Sequence, residues 1–310
     1  MTEYLALCAR LAGNELVVGE CENLTGAKPE EDGVAFCRSV ELIARGAYVH
    51  TGLRLIAQAK NLLDLLEVVK ELSFPAEHFR IEYTCLASQK KVNSRQAAIE
   101  LANVIRAYPD LDAPSHRFLL VERDQGLCFG EILAESSHSY RQHDKKPYRT
   151  SASLPSRLAR ALVNLAAPPA QIILDPCCGT GSILLEAQAL KLEACGVDWN
   201  PRMVGISRKN LAHYGYPAEV IFADYRAVER KADAVITDLP YGLFMHENQQ
   251  DIREIIQHTL TTAPIAVIVL GEDLSDWLGE VGFQDIDVFQ VRKHKEFSRF
   301  VHRARSGAFL

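Results

Sequence analysis

The sequence predicts an α/β protein with a doubly wound, mainly parallel sheet in its second half and an α+β region before it. Two observations lead to this fold class. From Gln171 onward, short apolar runs alternate regularly with helix-like spacers, as in repeated strand-helix units. An acidic residue follows four of these runs, and the first acid precedes a glycine-rich turn. The length of 310 residues suits about two domains.

The glycine-rich turn lies in residues 172–182, IILDPCCGTGS, between an apolar run and a helix-forming segment. This order is typical of nucleotide-type binding sites, and Gly179 and Gly181 let a ligand approach the backbone closely. Loops that bind pyrophosphate avoid acids because like charges repel, but Asp175 ends this strand. A carboxylate there suits a ligand with a cationic amino group and no phosphate. S-adenosylmethionine is such a ligand.

Three further acids follow predicted strands of the second half. Asp198 comes 23 residues after Asp175, about where the acid that accepts hydrogen bonds from ribose hydroxyls is found in dinucleotide-binding folds. Trp199 beside it either covers an adenine ring or packs in the protein. Asp224 either accepts the adenine amino group or caps a turn. Asp238 begins the sequence Asp-Leu-Pro-Tyr.

The strands of the second half should form a parallel series that ends in an antiparallel pair. They are predicted at residues 172–175, 194–197, 220–222, 234–236, 265–270, 286–291 and 297–303. Ligands of doubly wound sheets bind at the carboxyl ends of the strands. We therefore expect the four acids to line one crevice.

The first half has the pattern of a small α+β unit with helices on one face of an antiparallel sheet. Strands are predicted at residues 4–9, 15–19 and 79–86, helices at residues 59–72 and 94–108, and a hairpin at residues 117–122 and 127–133. Ser94 is the predicted N-cap of the second helix. Nothing in this half has the spacing of a catalytic site, so we assign it to recognition or support.

Composition indicates a cytoplasmic protein without a membrane segment. The formal net charge is -6, and no apolar run approaches the roughly 18 residues that span a bilayer. The N-terminus lacks the basic and then apolar order of a secretory signal. The eight cysteines show no paired C-x-x-C spacing, so we expect buried free thiols and no metal site.

Two basic segments flank the predicted catalytic domain. They contain Arg141, Lys145, Lys146, Arg149, Arg157 and Arg160, and Arg292, Lys293, Lys295, Arg299, Arg303 and Arg305, with Phe297 and Phe300 interleaved. Each segment alone is equally compatible with a solvated linker or edge strand. Together they favour a surface that faces RNA.

The predicted domains are residues 1–140, a basic linker at residues 141–152, and residues 153–310. The third begins with a helix that Ser153 caps, with Leu154 on its apolar face. Asn164 and the pair Pro168-Pro169 are predicted to end that helix.

The second half resembles the class I S-adenosylmethionine-dependent methyltransferases, with DPCCGTG at residues 175–181 as cofactor loop. Asp238-Leu-Pro-Tyr resembles the Asn/Asp-Pro-Pro-Tyr motif of enzymes that methylate exocyclic or amide nitrogens. Residues 146–165 together with both motifs are similar to the tRNA guanine-N2 methyltransferases that carry a THUMP domain. The resemblance implies a Rossmann-like methyltransferase domain after a ferredoxin-like and THUMP region that binds tRNA.

We therefore expect two sets of site residues. The cofactor set is Ser153, Leu154, Asp175, Cys177, Gly179, Gly181, Asp198, Trp199, Asp224 and Tyr225. The catalytic set is Asp238, Leu239, Pro240 and Tyr241. Leu239 stands where the family usually has a proline, but the resemblance assigns the role to its backbone carbonyl, which a leucine also provides.

The expected mechanism follows from the poor nucleophilicity of an exocyclic guanine amine. Its lone pair is delocalised into the ring. Acceptance of its hydrogens by the Asp238 carboxylate and the Leu239 carbonyl favours a localised pair and stabilises the developing positive charge. Pro240 stiffens the loop and Tyr241 stacks on the extruded base. The sulfonium is already activated, so we expect no metal.

The favoured reading is a monomeric tRNA guanine-N2 methyltransferase that converts S-adenosylmethionine into S-adenosylhomocysteine. One alternative applies the same chemistry to adenine N6 in DNA or RNA, or to a protein glutamine. The other is a non-catalytic RNA-binding protein that keeps a cofactor-binding fold. The separate first half and the basic segments favour folded RNA, and Asp238 favours catalysis.

Overall fold

The structure is a computed structural model that describes residues 3–10, 14–74, 76–239, 245–294 and 297–309. The chain divides into two compact units, of which the first comprises residues 1–11, 24–44 and 49–136 and the second comprises residues 12–23, 45–48 and 137–310. Among the described helices, none is long and apolar enough to cross a bilayer.

The elements alternate along the chain much as predicted. The helices are α1 (Leu16–Thr25), α2 (Leu62–Glu71), α3 (Ser94–Val104), α4 (Ser156–Ala166), α5 (Ser182–Ala189), α6 (Pro201–His213), α7 (Met245–Thr262) and α8 (Ser275–Val281). The strands are β1 (Tyr4–Cys8), β2 (Val34–Cys37), β3 (Val49–Ala59), β4 (Phe79–Cys85), β5 (His116–Arg123), β6 (Gly126–Glu135), β7 (Ile172–Asp175), β8 (Glu193–Asp198), β9 (Glu219–Phe222), β10 (Ala234–Asp238), β11 (Ile265–Leu270), β12 (Phe283–His294) and β13 (Phe297–Ser306). Short 3₁₀ helices occupy Ile43–Arg45, Ser139–Lys145, Tyr225–Ala227 and Gly307–Phe309.

The described strands of the first unit form a sheet with the order β2-β1-β3-β6-β5-β4. Its neighbours are antiparallel except β4 and β5, which are parallel. Alternate residues of β5 serve two cores: Phe118 packs with Leu65 of α2 and Leu101 of α3, whereas Leu119 and Val121 belong to a separate cluster with β1 and β3. The α+β pattern and the β5-β6 hairpin predicted for this region are confirmed, whereas the parallel β4-β5 pair departs from the antiparallel sheet that was predicted.

Three local predictions for the first half are wrong. Residues 15–19 form the start of α1 instead of a strand, because a helix buries Leu16, Val17 and Cys21 together, and tertiary burial overrides the β propensity of the valines. The second predicted helix starts after Asn93, whose side chain caps it by accepting from Gln96 N at 3.2 Å, so Ser94 is not the cap. The first predicted helix does not start at residue 59, which still belongs to β3. It begins after Asn61.

The described strands of the second unit form the doubly wound sheet, in the order β12-β13-β11-β10-β7-β8-β9. The pairs from β11 to β9 are parallel, and β13 runs antiparallel to both β11 and β12. The predicted parallel series and its terminal antiparallel pair are confirmed. Strand β11 is fully apolar from Ile265 to Leu270 and is buried by elements on both faces.

The register of this sheet brings acids to one edge. Strands β7, β8 and β10 end at Asp175, Asp198 and Asp238, which pair with Gly196, Phe222 and Val269 of their parallel neighbours. Because parallel strands end on the same side, the three carboxylates share the carboxyl edge of the sheet.

The predicted linker at residues 141–152 is attached to the second unit by two buried side chains, although most of its residues are exposed. His143 is buried, and its Nδ1 lies 2.6 Å from a carboxylate oxygen of Glu186 on α5. Lys146 is also buried and donates from Nζ to Ser182 Oγ at 2.7 Å. Buried polar groups need such partners, and the partners of this segment lie within the second unit.

The predicted start of α4 and its predicted stop at Asn164 are wrong as well, whereas the pair Pro168-Pro169 does follow the end of the helix at Ala166. The helix begins at Ser156, because Asp144 Oδ1 accepts from both the backbone N–H and the hydroxyl of that serine, at 3.2 and 2.7 Å. Ser153 lies before the helix, where its Oγ accepts from Thr150 N. Asn164 lies within α4, fully buried, and donates to Glu20 Oε1 at 2.7 Å.

Candidate active site

A cavity of 630 Å³ opens at the acidic edge of the second sheet. Its volume lies within the roughly 300–1,000 Å³ usual for small-molecule sites. The described residues that line it are Thr150, Ser151, Ala152, Ser153, Leu154, Asp175, Cys177, Cys178, Gly179, Thr180, Ser182, Ile183, Asp198, Trp199, Asn200, Met203, Asp238, Leu239 and Arg299. The cavity thus contains Asp175, Asp198 and Asp238 together, as the sequence predicts.

Asp175 is a buried carboxylate at the floor of the cavity, with 1% of its surface exposed. Its Oδ1 accepts from the Cys177 backbone N–H at 3.2 Å. Burial raises the pKa of Asp175 well above its usual value, and the neighbouring carboxylates of Asp198 and Asp238 raise it further. A cationic ligand group would relieve both effects, so this position fits the amino group of a cofactor.

Asp198 positions the glycine loop. Its Oδ2 accepts from the Gly179 backbone N–H at 2.8 Å, and its Oδ1 accepts from Asn200 N at 2.8 Å. Burial raises the pKa of Asp198, although both backbone bonds favour the ionised form. Each carboxylate oxygen keeps a further lone pair for ribose hydroxyls.

The loop needs glycine at two places for different reasons. Gly179 has φ of 51° and borders open space, so the backbone itself forms the cavity wall. Gly181 has φ of 79°, and a Cβ there would lie 2.5 Å from Ser207 Oγ on α6. A side chain at residue 181 would therefore separate the loop from α6.

Residues 150–154 form the part of the wall next to this loop. Thr180 donates from Oγ1 to Ser153 Oγ at 3.1 Å, and Ser182 donates from Oγ to the Leu154 carbonyl at 3.2 Å. Ser153 and Leu154 therefore line the cavity through contacts with the loop, and not as parts of α4. Trp199 is 76% exposed at the rim, where a ring can cover a bound base.

Asp238 and Leu239 lie at the end of β10. Leu239 donates its backbone N–H to the Val269 carbonyl at 3.2 Å, and its side chain is buried against Ile252 and Ile256. A proline has no N–H to donate, so leucine extends the strand by one hydrogen bond and adds to the core. Pro240 and Tyr241 lie outside the described residues.

Three of the predicted cofactor residues do not line the cavity, namely Gly181, Asp224 and Tyr225. Asp224 is exposed and accepts from Arg226 through that residue's backbone N–H and its guanidinium, which lowers the pKa of the acid. Asp224 therefore caps a turn, the second of the two roles considered for it from the sequence. Tyr225 is buried under the sheet edge, and its hydroxyl donates to Thr262 Oγ1 at 3.0 Å. Cys177 does line the cavity, and burial raises the pKa of its thiol.

Ten lining residues were not predicted as site residues: Thr150, Ser151, Ala152, Cys178, Thr180, Ser182, Ile183, Asn200, Met203 and Arg299. The first seven are close in sequence to Ser153 or to the glycine loop. Asn200 and Met203 follow Asp198 at the start of α6, so proximity in sequence could have indicated them. Arg299 belongs to β13, and only the pairing of that strand places it here.

Comparison with known proteins agrees with this geometry. Residues 143–265 match the family model described as RMKL-like, methyltransferase domain. A tRNA (guanine(10)-N2)-dimethyltransferase of Methanothermobacter thermautotrophicus is 34% identical over 64% of this chain and 62% of its own length. The same-named protein of Pyrococcus abyssi is 30% identical over 97% of each chain. The chain belongs to this tRNA (guanine(10)-N2)-dimethyltransferase family.

Family membership makes the chain a methyltransferase with S-adenosylmethionine as methyl donor, as predicted. The fold agrees with a solved structure: TrmN from Thermus thermophilus superposes with a TM-score of 0.52 at 18% identity, covering 98% of this chain and 99% of that one. The predicted Rossmann-like class of the second half is confirmed.

Proposed function

We propose that the protein methylates the exocyclic N2 of a guanine in tRNA, at position 10 as in the names of its relatives. The observation that carries this proposal is the presence of Asp175, Asp198, Asp238 and Leu239 around one cavity. Carboxylates for a cationic donor and acceptors for an amine are thereby combined in one place.

The cofactor would occupy the side of the cavity next to the glycine loop. Asp175 would accept from its amino group, Asp198 from its ribose, and Trp199 would cover its adenine. When bound, S-adenosylmethionine supplies a methyl group on a positively charged sulfur. The buried acids fit this charge, because a phosphate-bearing ligand would be repelled by them.

The target amine would face Asp238 and the Leu239 carbonyl. These groups accept its hydrogens, hold it against the donor, and stabilise positive charge on nitrogen during transfer. The Asp238 carboxylate can then take the proton that the methylated nitrogen releases. Pro240 and Tyr241 keep their predicted roles in loop stiffness and base stacking as part of this proposal.

The first unit would recognise RNA, in keeping with the predicted THUMP assignment of residues 1–140. Its surface carries exposed cations that can contact phosphates: Lys60, Lys70, Arg80, Lys91, Arg95 and Arg106. Electrostatic contacts of this kind provide affinity and orientation, while chemistry is confined to the second unit.

Labelled S-adenosylmethionine with separate tRNA, DNA and protein pools tests the proposal. Nucleoside mass spectrometry should find N2-methylguanosine, or its dimethyl form, in tRNA alone. Asp238→Asn should lower turnover by about 100-fold or more, the usual effect of removing one group of this kind, with cofactor binding retained. Asp276→Asn, an exposed acid on α8, is the matched control. Methyladenosine or methylglutamine as product would instead support the alternatives.

A further inference from the structure

Arg299 reaches the catalytic edge from an antiparallel strand. In β13, Phe300 pairs with Leu270, the last residue of β11. Because β13 runs antiparallel to β11, Arg299, the residue before Phe300, lies beyond the carboxyl end of β11. This is the edge at which β10 ends in Asp238, and the Arg299 side chain lines the cavity there with 5% exposure.

The charge of this residue is unusual for its surroundings. Of the described residues that line the cavity, Arg299 has the one cationic side chain, among three carboxylates. A guanidinium is a planar set of donors that stays charged at all working pH values. The sheet order β13-β11-β10-β7 places Arg299 on the other side of Asp238 from the glycine loop that follows β7. The guanidinium is therefore placed to serve acceptors on the methyl-accepting reactant, which the proposed function puts at Asp238.

Guanine offers acceptors of the required geometry. Its O6 and N7 lie side by side and bind arginine in a two-pronged contact, the commonest specific contact between a side chain and a base. The N2 amine lies on the opposite side of the ring system from N7. A guanine held by O6 and N7 therefore presents N2 away from the arginine.

We propose that Arg299 recognises the O6 and N7 edge of the target guanine while Asp238 and Leu239 receive its N2. This inference rests on the proposed function and adds the determinant of base identity. Adenine carries an amino group where guanine has O6, so it would place a donor against a donor. Arg299 thereby admits guanine and rejects adenine, whose N6 chemistry the same carboxylate could otherwise serve.

The test compares guanosine with 7-deazaguanosine at the methylated position of a tRNA transcript, after the wild-type product has been mapped. The deaza substrate loses the N7 contact and keeps O6, so wild-type kcat/KM should fall about tenfold or more on it, the usual worth of one hydrogen bond to a charged group. Arg299→Gln should lose at least that factor on guanosine and should no longer distinguish guanosine from 7-deazaguanosine. Its melting temperature shift with S-adenosylmethionine should match that of the wild type.

Two further variants sharpen the result. Arg299→Lys keeps the charge but not the planar fork, so it should behave like Arg299→Gln; full activity would mean a simple charge contact, for instance to phosphate, and would overturn the proposal. Arg253→Gln, an exposed arginine of α7 above the Trp277 ring, should match the wild type on both substrates.

The failure of this inference differs from failure of the proposed function. If the wild type methylates guanosine but the deaza penalty persists in Arg299→Gln, then Arg299 does not contact N7 and the inference alone fails. If the wild type produces no N2-methylguanosine in any RNA, the proposed function fails with it.

Discussion

The Asp198 carboxylate accepts a hydrogen bond from the Gly179 backbone N–H at 2.8 Å. The acid at the end of β8 thus holds the glycine loop that follows β7. With its other oxygen it accepts from Asn200 at the start of α6. One side chain therefore fixes two backbone segments that border the cavity, in addition to any contact with ribose.

Asp198→Ala should lower cofactor affinity by tenfold or more and also reduce the melting temperature without cofactor. Both effects follow from the loss of hydrogen bonds to a charged group, which contribute about 1.5–3 kcal/mol each. Asp224→Ala should change cofactor affinity much less, because Asp224 is exposed and bound to Arg226. Calorimetric titration of both variants with S-adenosylmethionine measures this difference. Equal losses would restore Asp224 to the cofactor site.

Asp175→Asn should stabilise the protein in the absence of cofactor. The pKa of Asp175 is raised in the folded state, above the 3.8 of an exposed aspartate. At pH values between 3.8 and the raised pKa, the folded chain binds more protons than the unfolded chain. The free energy of unfolding therefore falls as pH rises through this range. Asparagine cannot ionise, so the variant does not lose stability as pH rises through this range. Its side chain keeps an oxygen that can accept from Cys177 N.

Thermal unfolding at several pH values measures this effect. At pH 8 without ligand, Asp175→Asn should melt a few degrees above the wild type, and the difference should shrink toward pH 4. Saturating S-adenosylmethionine should raise the melting temperature of the wild type much more than that of the variant. A variant that melts lower at pH 8 and still shifts fully with cofactor would contradict the role of Asp175.

The strand ends of the second unit were predictable from the sequence because a repeated local pattern determines them. Buried parallel strands are continuous apolar runs, and such strands end on one edge, so Asp175, Asp198 and Asp238 could be grouped from the order of residues alone. Asp224 follows a strand in the same way. The guanidinium of Arg226 directs it into a turn, which strand periodicity does not reveal.

Contacts between distant parts of the chain were not predictable in this way. The carboxylate of Glu20 is fully buried because it accepts from the backbone of Ala47 and Tyr48. The carboxylate of Glu186 is buried between His143 and Arg160. In sequence these residues look like ordinary surface charges, and only tertiary pairing permits their burial.

Leu239→Ala should separate the structural role of this residue from its catalytic one. Its side chain is 1% exposed within the cluster of Ile252, Ile256 and Leu278, so truncation should lower the free energy of unfolding by about 2–5 kcal/mol. The backbone carbonyl remains. Turnover per folded molecule, measured well below the melting temperature, should stay within a few-fold of the wild type. A loss comparable to that of Asp238→Asn would mean that the side chain itself positions the substrate.

Only part of the first basic segment is available to RNA. Lys146 and Arg160 are buried against Ser182 and Glu186, whereas Lys145 is exposed.

If Lys145 contacts a phosphate, Lys145→Gln should weaken tRNA binding and reduce the slope of log K against log salt by about 0.9, the value for one released counterion, or somewhat less for unpaired RNA. Lys231→Gln removes an exposed lysine that donates to the Thr261 carbonyl, and should leave the slope unchanged. Filter binding between 50 and 200 mM salt, about the range over which such contacts are lost, compares the two variants. An unchanged slope for Lys145→Gln would assign this lysine to the solvated surface and leave phosphate contacts to the exposed cations of the first unit.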